Sequence, residues 1–248
     1  MDEDAIPGRR AVLEALRAGR PIRKILLSRT AHGAGVKDIV HEAKGLGIVL
    51  QSVDPRRLDE LVRGAHQGVI ALTAARPMAS VDDILANARA KGEPPFVLVL
   101  DGVEDPANLG ALIRTAEGAG VHGVIIPKHR AAGLTPAVAR SSAGAVEHVP
   151  VAAVTNLVRT LEELKQAGLW VVGAAPEAKD AYHAVRLVPP LAVVMGGEER
   201  GLGRLVREHC DLLVRLPMRG KVASLNVSVA AGVLLFEIIR QTATAQSS

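Results

Sequence analysis

The sequence predicts an α/β protein in which a largely parallel sheet is covered by helices on both faces. From residue 96 onward, short runs of Val, Leu and Ile alternate with helical or glycine-rich stretches. Near-continuous apolar strands are typical of a sheet buried on both sides, and helical crossovers make such sheets parallel. Hydrophobic residues form 48% of the 248 positions but aromatic residues only 2%, so the core must be aliphatic.

The expected strands of this region are FVLVLD, GVIIP, VEHVPV, LWVVGA, LAVVMG and LLVRLP. The first 75 residues alternate in the same way over a shorter length. We expect helices in GRRAVLEALRAG, VKDIVHEAKGLG and DPRRLDELVRG, and strands in IRKILLS, IVLQSV and GVIALTA. The third helix has Asp54 as its N-cap and Pro55 at its first position. This stretch predicts a small α/β unit of its own.

The Pro and Gly residues of ARPMAS and KGEPP mark a connector, with a possible short helix, SVDDILANARA, between them. We therefore expect an N-terminal domain over residues 1–75, a linker over 76–95 and a second domain over 96–248.

Composition limits the class of protein. Cys210 is the single cysteine, and no Cys/His spacing suggests zinc, so we expect neither a disulfide nor a metal site. The start MDEDAIPGRR lacks a signal-peptide core, and no apolar run reaches ~18 residues. These features predict a cytoplasmic protein without a membrane span.

The charge balance favours an anionic partner such as nucleic acid, although weakly. Net charge is +4 and the isoelectric point about 9.5. Basic residues crowd the start of the chain, and three more follow: Arg9, Arg10, Arg17, Arg20, Arg23, Lys24, Arg56, Arg57 and Arg63. A solvated helix face explains this charge equally well.

Ligands of open parallel sheets bind beyond the carboxyl ends of the strands. After FVLVL comes DGVEDPANLGALIRTAEGAG, a turn followed by a helix. We place Arg114 about one turn into that helix, with Gly110 and Gly118 on the same face leaving room around it. The alternative makes Arg114 an ordinary surface residue and Asn108 a helix N-cap.

The second segment is VVMGGEERGLG, whose glycines let a backbone approach a ligand closely. It is not the G-x-G-x-x-G dinucleotide fingerprint, which argues against a Rossmann-type oxidoreductase. A glycine-rich turn without a ligand is the alternative.

The third segment, PMRGKVASLNVSVAAG, follows the strand LLVRL and places Ser224, Asn226 and Ser228 at every second position. Ser224 is a good helix N-cap, and free N–H groups at a helix start favour anions. Leu216, Met218 and Leu225 could offer backbone groups and apolar contacts to a flat ring. The alternative is a cap followed by small residues in tight helix packing.

Together the three segments resemble the three motifs of the SpoU (TrmH) family, which contains RNA ribose 2′-O-methyltransferases of the SPOUT class. They read Asp-Pro-x-Asn-Leu-Gly-x-x-x-Arg-Thr-Ala, Met-Gly-Gly-Glu-x-x-Gly-Leu and Pro-Met-x-Gly-x-x-x-Ser-Leu-Asn-Val-Ser-Val-Ala. The resemblance covers roughly residues 96–240. The start GRRAVLEAL and the stretch His66-Gln67-Gly68-Val69 are similar to an accessory domain of the RlmB-type subgroup, whose members methylate a guanosine ribose in 23S ribosomal RNA.

The resemblance implies a deep trefoil knot in the C-terminal part, S-adenosylmethionine as the cofactor, and a homodimer with each site near the interface. Catalytic positions are matched by Asn108, Arg114, Glu198, Ser224 and Asn226. Cofactor-contacting positions are matched by Gly196, Leu216 and Leu225, with Gly197, Met218 and Ser228 as neighbours. Glu199 departs from the family pattern, because a small residue usually follows the glutamate at Glu198.

For the N-terminal domain the resemblance implies RNA binding, and its arginines fit phosphate contacts. Few aromatic residues are present, so shape and phosphate recognition are expected to outweigh base stacking. Three other functions remain open: a related enzyme acting on transfer RNA, one acting on another ribosomal site, and a non-catalytic RNA-binding or ribosome-assembly factor.

Overall fold

The computed structural model describes residues 4–17, 19–62, 66–73, 78–198, 200–222 and 224–246. The chain divides into two compact units, residues 1–77 and residues 78–248.

The first unit is a mixed four-stranded sheet with helices on both faces. Its elements are β1 (Asp4–Pro7), α1 (Arg9–Arg17), β2 (Ile22–Ser28), α2 (Ala34–Gly45), β3 (Val49–Val53), α3 (Pro55–Leu61) and β4 (Val69–Thr73). The strand order is β1-β4-β2-β3, with β2 and β3 parallel and β4 antiparallel to both neighbours. Helices α1 and α2 pack on one face and α3 on the other. The predicted helices and strands are confirmed, whereas the four-residue β1 was not expected.

The second unit contains a seven-stranded sheet among its described residues. Its elements are α4 (Val81–Lys91), β5 (Phe96–Asp101), α5 (Pro106–Gly118), β6 (Gly123–Pro127), α6 (Pro136–Ser141), β7 (Val151–Val154), α7 (Leu157–Gln166), β8 (Trp170–Ala174), β9 (Asp180–Ala181), β10 (Leu191–Gly196), α8 (Arg204–Glu208), β11 (Leu212–Arg215) and α9 (Val227–Gln246). The order is β7-β6-β5-β10-β8-β11-β9, and each neighbouring pair is parallel.

Both faces of this sheet are buried, as predicted. In β5, Leu98 and Leu100 point into a core shared with α5 and α9, while Val97 and Val99 point into a second core shared with α4 and α7. Each such aliphatic side chain contributes roughly 1.5–3 kcal/mol when it is fully buried. The aliphatic composition therefore supports two core layers, one on each side of the sheet.

The expected linker over residues 76–95 instead contributes a packed helix to the second unit over its described part. The hydroxyl of Ser80 accepts a hydrogen bond from the Asp83 N–H at 3.1 Å, and the Asp83 carboxylate accepts one from the Ser80 N–H at 2.8 Å. This capping box starts α4. Ile84 and Ala88 are buried, and a side chain on Gly123 of β6 would collide with Ile84. The helix expected within this stretch is confirmed.

The run VEHVPV is only partly a strand. Residues Ala145–Glu147 form a 3-10 turn, and β7 begins at Val151, directly after Pro150. Proline lacks the N–H that a strand needs for its ladder, so pairing starts after it.

Helix α9 is long and apolar enough to cross a membrane by length and composition alone. One side of it, however, packs into the core beneath the sheet through Val227, Ala231, Leu234, Leu235 and Ile238. Its Glu237 pairs with Arg240 at 2.7 Å. These contacts are those of a core helix in a folded domain.

Candidate functional site

The loops after β5 and β10 meet because these strands are parallel neighbours whose ends are in register. Gly196 pairs with Asp101 at the last position of each strand. The Gly197 N–H donates to the Asp101 carbonyl at 2.8 Å, and the Gly203 N–H donates to the Asp101 carboxylate at 2.7 Å. Asp101 thus holds the glycine-rich loop at both of its ends. Asp101 was not among the predicted site residues, although a carboxylate that ends an apolar strand is a usable signal.

The glycines of this loop are required by backbone packing. A Cβ on Gly196 would collide with the backbone of Gly201 and Leu202, and a Cβ on Gly197 would collide with the Gly102 carbonyl. The loop is therefore folded tightly on itself and on the neighbouring loop. A direct contact of Gly196 or Gly197 with a cofactor stays a prediction.

Helix α5 presents Asn108 to the same loop. Asp105 is the N-cap and accepts a hydrogen bond from the Asn108 N–H at 2.9 Å, with Pro106 at the first helical position. The alternative that Asn108 is the N-cap is wrong, because Asp105 fills that place. The Asn108 side chain is left free to make other contacts.

One hydrogen-bond chain joins the three segments that the sequence singled out. Asn108 donates through Nδ2 to the carboxylate of Glu198. In turn, Asn226 donates through Nδ2 to Asn108 Oδ1 at 2.9 Å. Ser228 donates to Asn226 Oδ1 from its N–H at 2.9 Å and from its hydroxyl at 2.6 Å. Each amide accepts on one side and donates on the other, so the order of the chain is defined.

Asn226 is also the residue that starts helix α9. Its side chain caps the Ser228 N–H, and its carbonyl accepts from the Ala230 N–H at 2.9 Å. The prediction that Ser224 caps this helix is therefore wrong, since α9 begins at Val227. The Ser224 side chain is exposed and makes no hydrogen bond to another described residue.

Arg114 lies apart from this chain. It is the ninth residue of α5, two turns into the helix instead of one, and is about 120° around the axis from Asn108. Its side chain is exposed and has no hydrogen bond or ion pair within the described chain. Gly110 makes room for Ser141, with which a Cβ would collide, whereas Gly118 lies beside Phe236 of α9. Within one subunit, then, Arg114 makes no hydrogen bond to the other predicted catalytic residues.

The three predicted apolar contacts lie at the carboxyl-end side of the sheet. Leu216 and Met218 follow β11, and Leu225 precedes Asn226. Met218 and Leu225 are exposed although they are large and apolar, and Leu216 is half-buried. Met218 and Leu225 thus offer exposed apolar surface, which suits a ligand with a flat ring and an aliphatic chain.

A cleft of about 1010 Å³ opens beside Asn108 and Glu198, at the carboxyl ends of β5, β6, β7 and β10. His129, Arg130 and Asn156 line it opposite the glycine loop. These three residues were not predicted from the sequence, although they follow β6 and β7 and so obey the same rule about strand ends. Among the residues with described positions, no group of three His, Cys, Asp or Glu side chains is placed to hold a metal ion.

Comparison with known proteins identifies the family. Residues 95–236 match the SpoU rRNA Methylase family, and residues 5–79 match the RNA 2′-O ribose methyltransferase substrate-binding family. The chain therefore belongs to the SpoU methylase family, as its three motifs predicted. Like other members of that family, it is an RNA methyltransferase that uses S-adenosylmethionine.

Individual relatives match over nearly the whole chain. A putative TrmH family tRNA/rRNA methyltransferase, YacO of Bacillus subtilis, is 48% identical over 96% of both chains. An AdoMet-bound rRNA methyltransferase of Sinorhizobium meliloti is 25% identical, with a TM-score of 0.73 over 96% of this chain and 87% of that one. The SpoU methyltransferase AviRb of Streptomyces viridochromogenes, in complex with AdoMet, is 25% identical, with a TM-score of 0.70 over 100% and 92%.

Proposed function

We propose that this protein transfers the methyl group of S-adenosylmethionine to the ribose 2′-hydroxyl of a guanosine in 23S ribosomal RNA. The observation that carries the proposal is the hydrogen-bond chain through Glu198, Asn108 and Asn226, which joins the three motif segments at one edge of the sheet. The match of residues 5–79 to a substrate-binding family supports the ribose as the acceptor.

The exposed apolar side chains of Leu225 and Met218, with Leu216 and the glycine loop, would hold the cofactor. The cofactor supplies an electrophilic methyl group, and the protein supplies orientation. Asn226 and Ser228 fix the start of α9 by their hydrogen bonds. With α9 held in this way, Leu225 would face the cofactor and Ser224 the ribose. Glu198 holds the Asn108 amide in one orientation, which places a polar surface beside the incoming ribose.

A ribose hydroxyl is a poor nucleophile and needs a group that stabilises it as its proton leaves. Arginine stays protonated at ordinary pH, so it does not act as the base. We assign Arg114 to clamping the neighbouring phosphate and stabilising the developing alkoxide. Its lack of a partner among the described residues leaves the guanidinium available for RNA.

We further propose that the protein acts as a homodimer. Val229, Val233 and Phe236 lie at i, i+4 and i+7 on the outer side of α9 and are 51%, 38% and 53% exposed. A second copy would cover this apolar stripe. Because Gly118 lies beside Phe236 and Arg114 is one turn from Gly118, Arg114 borders the stripe. A dimer built on the stripe would carry Arg114 toward the partner's site, which explains its separation from Asn108 within one subunit.

The trefoil knot, a cytoplasmic location and RNA binding by the N-terminal unit complete the proposal. The main rival is a sister enzyme that methylates transfer RNA, since the name of the Bacillus subtilis relative covers both RNA classes. The match to a substrate-binding family at residues 5–79 favours a large structured RNA, because an accessory domain can bind such an RNA at a site distant from the reacting nucleotide.

The test offers the purified protein methyl-labelled S-adenosylmethionine and two RNAs separately: unmodified 23S ribosomal RNA and bulk transfer RNA. The labelled nucleoside is then identified after complete digestion. Methylated guanosine in 23S RNA alone is the expected result. Label in transfer RNA alone would assign the protein to the sister group. If neither RNA is labelled, assembling large subunits are offered next, and cofactor binding without label there as well would assign the protein to the non-catalytic factors.

A further inference from the structure

Three of the arginines that the sequence concentrates in the first unit are paired with neighbouring carboxylates. Arg10 pairs with Glu14 at 3.1 Å, Arg17 with Glu42 at 3.5 Å, and Arg57 with Glu60 at 2.9 Å. Such paired, exposed arginines form the solvated helix faces that were the alternative explanation of this charge. They leave little net potential for a polyanion at those positions.

A different surface of the same unit carries basic side chains that have no ion pair with another described residue. A groove of about 440 Å³ runs along α2, with a floor formed by Ala31, Val36 and Val40. Its polar lining consists of His32, Lys37, His41 and Lys44. We call this surface the α2 groove.

The basic side chains of the α2 groove form one stripe. Lys37, His41 and Lys44 are spaced by four and three residues, so they lie on the same side of the helix. None of them has an ion pair with another described residue, and all are exposed. Of the acidic residues of α2, Glu42 faces Arg17, whereas Asp38 lies three residues before His41 and borders the stripe on that side.

Two segments that the sequence singled out meet at one end of this groove. Arg9 donates from Nε to the Gln67 carbonyl at 3.0 Å, and its N–H donates to the Gln67 side chain at 3.2 Å. The guanidinium lies beside Gly33, where a Cβ would be 3.5 Å from Nη1. Gly68 packs so closely on Ala31 that a Cβ would be 2.9 Å from the alanine methyl. The loops of GRRAVLEAL and His66-Gln67-Gly68 thus build the end of the groove and add a cation to it.

We propose that the α2 groove is the surface on which the phosphate backbone of the substrate RNA docks, with Lys37 and Lys44 as phosphate contacts and Arg9 at its end. The proposal rests on the function proposed above, and it specifies where the RNA is held. Lysines on one helix face supply point charges that follow a strand without reading its sequence. The apolar floor of Val36 and Val40 accommodates sugar and base surfaces in a unit with few aromatic side chains.

The test compares two double variants of the full-length protein in their binding to unmodified 23S ribosomal RNA across a series of salt concentrations. Lys37→Ala/Lys44→Ala removes two unpaired charges of the groove. Arg10→Ala/Arg57→Ala removes two exposed charges of the same unit that are paired, so both variants lose the same net charge. All four side chains are exposed, and both variants should therefore melt at the wild-type temperature.

For the groove variant, the slope of the logarithm of the RNA association constant against the logarithm of the salt concentration should become shallower by roughly 1.4 to 1.8, because each of two lost phosphate contacts contributes about 0.7–0.9. This corresponds to an affinity about 15- to 30-fold weaker than that of the wild type at 0.15 M salt. The control should change neither value appreciably, and both variants should bind S-adenosylmethionine like the wild type. Equal salt slopes for the two variants would overturn the groove proposal but would leave the proposed methyltransferase function unaffected. A wild type that neither binds nor methylates the RNA would instead count against the proposed function.

Discussion

The Nδ2 of Asn226 donates a hydrogen bond to Oδ1 of Asn108 at 2.9 Å, across 118 positions of the chain. This contact connects the start of α9 to the first turn of α5, and Asn108 in turn donates a hydrogen bond to the carboxylate of Glu198. Three segments that are separate in sequence are thereby fixed relative to one another. The geometry of the site depends on the side-chain amides of Asn108 and Asn226, each of which donates a hydrogen bond through Nδ2 and accepts one through Oδ1.

Replacement of Asn226 should separate its two roles, which are to cap helix α9 and to position the side chain of Asn108. In Asn226→Asp the carboxylate still caps the Ser228 N–H, so the melting temperature should stay near the wild-type value, but the donor to Asn108 is gone. Methyl transfer should fall at least about 100-fold, the usual range for loss of a positioning or electrostatic contact. Asn226→Ala should show the same loss and cost about 1 kcal/mol of stability as well. Thermal melts and single-turnover transfer measure both, and wild-type transfer by Asn226→Asp would refute the positioning role.

Gly196→Ala should disrupt the site through the backbone. The added methyl would collide with Gly201 and Leu202, so the loop must shift and the protein should lose about 1–3 kcal/mol of stability together with cofactor affinity. Gly133→Ala is the matched control, because a Cβ there meets nothing within 4 Å. Calorimetry with S-adenosylmethionine and chemical denaturation test this pair. Unchanged cofactor affinity in Gly196→Ala would contradict the account of the loop.

The apolar stripe on α9 should control the oligomeric state. Phe236→Glu would place a charge in the proposed interface and should convert the dimer to a monomer in sedimentation experiments. Trp170→Glu changes another exposed aromatic residue, one that lies outside the stripe, and should leave the dimer intact. A wild-type protein that sediments as a monomer would eliminate the interface altogether.

Mixed dimers should reveal whether Arg114 serves the partner's site. Arg114→Ala and Asn226→Ala should each be inactive alone. After the two are unfolded and refolded together, half of the dimers are mixed, and one of the two sites in each mixed dimer has both native residues. Activity should therefore return to about a quarter of the wild-type value. An inactive mixture would place Arg114 and Asn226 of the same subunit in one site.

The thiol of Cys210 should be unreactive at neutral pH. Burial raises its pKa to about 11, the charges of Asp211 and Asp101 add to the rise, and Lys165 opposes it. Its Sγ donates to the Val206 carbonyl at 3.3 Å, as a protonated thiol does. Because only the thiolate reacts, alkylation by iodoacetamide should accelerate up to about pH 11, whereas the unfolded chain should level off near its ordinary pKa of about 8.5. A folded protein whose rate levels off near pH 8 to 9 would contradict this.

The elements that were predictable are those with a strong local signal. The apolar runs of β5, β6, β8, β10 and β11 and the cap at Asp54 depend on neighbouring residues alone. The two-residue β9 and the four-residue β1 carry no periodic pattern, so only tertiary pairing defines them. The α4 segment was predicted as a helix within a linker, because the prolines and glycines on either side of it indicate a connector and carry no information about its packing against Gly123.

The site was predictable as a set of residue types but not as a geometry. Motif matching selected Asn108, Glu198 and Asn226, and the structure links them by hydrogen bonds. Two features of the site, the residue that caps α9 and the direction of Arg114, are defined only by the folded structure. Asn226 caps α9 although Ser224 has an equal intrinsic preference, because Asn108 is there to receive the amide. Arg114 lies about 120° around the axis from Asn108, because six residues turn the helix by about 600°.

The central claim is that the methyl group goes to a ribose and not to a base. The most direct measurement is alkaline hydrolysis of 23S RNA that the purified protein has labelled with methyl-tritiated S-adenosylmethionine. A 2′-O-methyl group removes the hydroxyl that attacks the adjacent phosphodiester, so the account predicts that the label appears in an alkali-stable dinucleotide with guanosine on its 5′ side. Label released entirely as mononucleotides would show that the methyl is on a base, and the proposed reaction would be wrong.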